Sequence, residues 1–67
     1  MNYITDKHRE GIITFLIGLV EEDDKRNFRL LVERWEKQLE RHRDSDRDWA
    51  NMCLEIANEL APEGWLK

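Results

Sequence analysis

The stretch Asp44–Glu55, DSDRDWANMCLE, decides the fold. Asp44, Asp46 and Asp48 alternate, and Glu55 stands at the twelfth place counted from Asp44. A calcium loop of the EF-hand type takes ligands at positions 1, 3 and 5, a glycine at 6 for the sharp turn, and a bidentate glutamate at 12. The ligand positions are met. Trp49, however, occupies the glycine position, and Asn51 stands where that loop usually carries a branched apolar residue. From Trp49 onward, Trp49, Met52, Cys53, Ile56, Ala57 and Leu60 recur at the spacing of one helical face, with Leu54 to one side. Residues already coiled cannot wrap a cation. Ser45 followed by Asp48 is instead a relative of the capping box, and acids at a helix start face its positive pole. The stretch therefore reads as the lead-in to a helix from about Asp46 to Leu60 or Ala61. Calcium regulation through Asp44, Asp46 and Asp48 is the lesser alternative.

Upstream, Phe28, Leu31, Val32, Trp35 and Leu39 form one stripe about 100° wide, which predicts a helix from Lys25 to Arg41 capped by Asp23 or Asp24. Its opposite face holds the four-apart pairs Arg29–Glu33 and Glu33–Lys37. Leu30 lies off the stripe among charges. Further upstream, Thr5 suits an N-cap and Asp6 the positive pole of a helix running to Val20 or Glu21. Along it, Ile12, Ile13, Phe15, Leu16, Ile17, Leu19 and Val20 cover an arc of about 200° at 3.6 residues per turn. A surface helix needs little more than about 100°. The rest of that face carries the small residues Gly11, Thr14 and Gly18, and EEDD (Glu21–Asp24) closes the helix. Downstream, Pro62 stops the third helix. Gly64 permits a turn, and Trp65 and Leu66 are expected to fold back over the core.

The fold class these signals give is all-α: one small domain over residues 1–67 with three antiparallel helices at about 6–21, 25–41 and 46–61, and a tail at 62–67. The 67 residues carry 15 acids and 11 bases for a net charge of −4, a balance that disfavours general affinity for nucleic acid or anionic membrane. With 40% hydrophobic residues arranged periodically, the chain has the means to fold. Cys53 is the only cysteine, so no disulfide closes within one chain, and a free thiol suits a reducing compartment. Met1-Asn2-Tyr3 is not followed by a basic region and a small-residue cleavage site, so no secretory signal is expected. The longest apolar run, Ile12–Val20, falls short of the roughly 20 residues that span a bilayer. A cytoplasmic chain without membrane contact is the expectation.

Chemistry-bearing constellations are few. Cys53 sits on an apolar stripe, where a small buried thiol is commoner than a nucleophile. His8 and His42 lack a second histidine or cysteine at ligand spacing and are expected to face solvent. Arg41, His42, Arg43 and Arg47 form a basic cluster that complements the negative end of the second helix. A helix-turn-helix reading is disfavoured because Asp44, Asp46 and Asp48 would repel phosphate at the recognition end, and any such contact would use helix two instead. No enzyme activity, cofactor or metal is expected.

The surplus apolar girth of the first helix leads to function. Two neighbours cover roughly half its circumference, and each large side chain left exposed forfeits about 1.5–3 kcal/mol. Either the tail, through Trp65 and Leu66, covers the excess, or a two-fold homodimer does. The expectation is self-association through Gly11, Ile12, Phe15, Leu16, Gly18 and Leu19, with Leu30, Leu54 and Trp65 meeting an unidentified protein partner. Trp65 suits self-packing and interface anchoring equally. The chain then reads as a small acidic interaction protein: an adaptor, an inhibitor or a phage-type accessory factor. The alternative is a nucleic-acid-associated or transcription-linked regulator using Arg26, Arg29, Arg34 and Arg41.

Overall fold

The computed structural model describes residues 5–41 and 45–66. Helices α1 (Asp6–Glu21), α2 (Lys25–Arg41) and α3 (Ser45–Leu60) succeed one another, and no strand occurs among the described residues.

Thr5 starts α1 by accepting a bond at its hydroxyl from the His8 backbone N–H (3.3 Å), while His8 Nδ1 accepts from the Thr5 N–H (3.3 Å). This is a capping box with an imidazole in place of the usual Glu or Gln. At the other end Asp23 takes φ +58°. Its N–H reaches Val20 O (3.0 Å), and the Asp24 N–H reaches Leu19 O (2.9 Å). That pair of bonds is a Schellman motif, which needs a left-handed residue where Asp23 stands. Asp24 then caps α2: its Oδ1 accepts from the Asn27 N–H (3.3 Å) and its Oδ2 from the Asn27 amide (2.7 Å). One short acidic turn thus ends α1 and begins α2, and Asp24 faces the positive pole of the helix it starts.

α3 begins at Ser45, one residue ahead of the expected start. Ser45 is thus the first helical residue of α3. Asp44 and His42 lie outside the described residues. Trp49 is helical and half-buried, packed against the core. Asp46 and Asp48 stand two apart on this continuous helix, about 200° around its axis from each other, so they do not converge as loop ligands do. Among the described residues no group of three His, Cys, Asp or Glu is placed to hold a metal ion.

Three contacts fix the topology. Gln38, late in α2, donates to Asp46 O at the start of α3 (2.8 Å). The His8 ring at the start of α1 meets Trp49 edge to face at 5.7 Å. Trp65, beyond α3, meets Phe28 at the start of α2 edge to face at 5.2 Å. The helices therefore run up, down, up, with α1 and α3 pointing the same way. α3 packs against both others, more extensively against α2, and its buried residues are Ala50, Met52, Cys53, Ile56 and Ala57. Phe28, Val32 and Trp35 supply the core from α2, Leu16 and Leu19 from α1. After Pro62 the chain turns, closed by Trp65 N–H to Pro62 O (3.1 Å) with Gly64 at φ +87°. That sign of φ is the one a type II turn requires at its third residue.

No helix among the described residues is long and apolar enough to cross a membrane.

Candidate interaction surfaces

Among the described residues three large apolar side chains stay exposed: Phe15 at 54%, Ile17 at 40% and Leu30 at 52%. On α1 the core takes Leu16, which is fully hidden, and Leu19. At 100° per residue, Phe15 stands about 100° to one side of Leu16 and Ile17 about 100° to the other. Between these two shoulders, on the side away from the core, run Gly11, Thr14 and Gly18. A Cβ built on Gly11 or Gly18 meets nothing within 4 Å, and neither takes a positive φ. Neither close packing within the chain nor backbone conformation calls for glycine at these places, yet each costs the helix about 1 kcal/mol relative to alanine.

The residues expected to associate therefore separate. Leu16 and Leu19 belong to the chain's own core, because the arc is wider than one contact and its centre is claimed by α2 and α3. Ile12 is half-buried against that core. Gly11 and Phe15 are exposed, and Gly18 is half-buried. Ile17, absent from the expected set, belongs to the exposed shoulders. Its place at the far edge of the 200° arc was the available signal.

The residues expected to meet a partner separate as well. Leu30 is exposed on the outer face of α2. Leu54 is half-buried and, with Val32, Leu66 and Asn58, lines a small hollow of about 210 Å³ between α2, α3 and the tail. Trp65 is 8% exposed and packs in a T-shaped contact with Phe28, so its indole has little surface to offer a partner. The tail thus roofs α2 and α3 and leaves Phe15 and Ile17 uncovered.

Cys53 is fully buried, and burial pushes its thiol up from an ordinary 9.0 to about 11. A thiol held protonated in this way is a packing group, since the thiolate is the nucleophile. His8, expected to face solvent, is exposed by area but engaged on both sides, by Thr5 and by Trp49.

The fold and surface define a class: a three-helix all-α domain with unpartnered apolar side chains on two outer faces. No family model, curated protein or solved structure matches the chain.

Proposed function

We propose that this chain is a non-catalytic interaction protein that works as a weak homodimer through the outer face of α1. The observation that carries the reading is the pairing of Phe15 and Ile17, both exposed, with a strip of glycines that nothing inside the chain requires. Small residues between two apolar ridges let a second helix approach closely. An antiparallel two-fold pairing centred near Thr14 sets Lys7 against Glu21 of the partner subunit, and both lie on this outer face, at opposite ends of α1.

The gain is modest. Two chains contribute four half-exposed side chains, and completing their burial is worth about 1 kcal/mol each. Association costs at least about 4 kcal/mol in lost freedom. Close packing along the glycine strip supplies the remainder, so a dissociation constant on the order of 100 µM is expected.

Sedimentation equilibrium across that concentration tests the proposal. Phe15→Glu should hold the chain monomeric with its helical signal intact. Gly18→Ala should act with opposite signs: the fold gains about 1 kcal/mol from helix propensity, while the added methyl weakens the dimer. A wild-type chain still monomeric at about 1 mM, ten times that constant, ends this reading.

A further inference from the structure

The outer face of α2 is set apart by its charge. Between Lys25 and Arg41 stand six cations and three acids, so the helix carries 6 − 3 = +3 in a chain of net −4. The remaining residues together carry −4 − 3 = −7. At 100° per residue, Arg26, Leu30, Arg34, Lys37 and Arg41 fall within about 80° of one another. This stripe lies opposite the buried Phe28, Val32 and Trp35. Leu30 stands in its middle as the exposed apolar side chain, with an open hollow on either side. One, of about 580 Å³, is lined by Lys25, Arg26, Arg29, Leu30 and Glu33. The other, of about 440 Å³, runs past Arg34, Lys37 and Arg41. Among the described residues, the side-chain hydrogen bonds that involve α2 use Asn27 and Gln38; none of them uses a cation of this helix.

We propose that this stripe docks an acidic amphipathic helix of a partner protein, with one apolar side chain of that helix on Leu30 and carboxylates on both sides of it. A helix laid along another helix presents residues at matching three- and four-residue spacing. Carboxylates so spaced meet Arg26 and Arg34, one turn before and one turn after Leu30. Charge complementarity then sets orientation and encounter rate, and the leucine contact sets residence. Nucleic acid fits less well. A phosphate backbone offers nothing apolar to Leu30, Glu33 borders both hollows and repels phosphate, and the −7 elsewhere opposes a long polyanion. A membrane surface fits less well again, because an interfacial helix needs a broad apolar face and this one has a single leucine. The α1 dimer uses a different helix, and neither proposal depends on the other.

The test uses the full chain and three fluorescent probes. One is a synthetic helical peptide with glutamates at four-residue spacing around a leucine stripe. The second is the same peptide with serine for leucine. The third is a single-stranded oligonucleotide of equal charge. Anisotropy should show saturable binding of the first peptide, weakened about tenfold in the serine peptide. Leu30→Ser and, separately, Arg34→Glu should each weaken it by about as much, while the helical signal stays unchanged because both positions are exposed. Absence of binding by the leucine peptide overturns the proposal. So does binding that ignores Leu30→Ser, or an oligonucleotide that binds as tightly as the peptide, since either reduces the face to bare electrostatics. Loss of self-association in Leu30→Ser would also overturn it, by making a second copy the occupant.

Discussion

Replacing Trp65 by alanine tests whether the tail is part of the core. The indole is 8% exposed and meets Phe28, itself fully buried, at 5.2 Å and 77°. Removing a buried Trp costs about 3–5 kcal/mol, of which an edge-to-face aromatic pair supplies about 0.5–1.5. At roughly 0.05–0.15 kcal/mol per residue, a chain of this length has about 3–10 kcal/mol to lose. Trp65→Ala should therefore bring the fold close to its limit. With a urea slope of about 1 kcal/mol per molar, the midpoint should fall by about 3 M. Far-UV circular dichroism is the suitable signal, because deleting an indole alters the fluorescence baseline. Trp65→Phe keeps the aromatic contact and should lose less than half as much. A double-mutant cycle of Phe28→Leu with Trp65→Leu should return a coupling of about 1 kcal/mol. If Trp65→Ala costs less than about 1 kcal/mol, the tail is not structural, and the indole returns as a candidate rim contact for a partner.

The burial of Cys53 makes stability pH-dependent in one direction. An unfolded thiol ionises near 9.0, whereas the folded one keeps its proton to about 11. Below the first value both states are protonated and nothing changes. Between the two values the unfolded chain alone gains by ionising, so stability falls by about 1.4 kcal/mol per pH unit. Urea melts on either side of pH 9.0 should show this slope in the wild type and not in Cys53→Ala. In the left-handed turn, Asp23→Gly should raise stability by about 1 kcal/mol, since glycine takes φ +58° freely and an acid leaves the negative pole of α1; a thermal melt reads this. Asp24→Ala removes the cap of α2 and should cost about 1 kcal/mol in the same assay.

The three helices were legible because their signals agree at every level. The α2 stripe has one unambiguous period, and Pro62 and the acidic turn punctuate the chain. Asp46 and Asp48 were legible as helix because Trp49 fixes the phase of the apolar residues after it. What the sequence left open is partition. Periodicity measures how wide an apolar arc is, but not which part of it the neighbours take, so Leu16 and Phe15 looked alike. Only packing separates them, with Leu16 hidden and Phe15 half in water. Trp65 was undecided for a related reason: a tail has no period, and its position depends on the turn at Gly64 and the hole beside Phe28. The imidazole in the α1 capping box was missed because the rule names Glu or Gln at that place.

The indoles are distributed usefully for an experimenter. α2, α3 and the tail each own one, at Trp35, Trp49 and Trp65, and α1, which has none, lays the His8 ring against that of Trp49. Single-tryptophan variants, with phenylalanine at the other two sites, would let emission from each site report separately on its own seam. The detachment of α1, otherwise spectroscopically silent, would register as lost quenching at one neighbour.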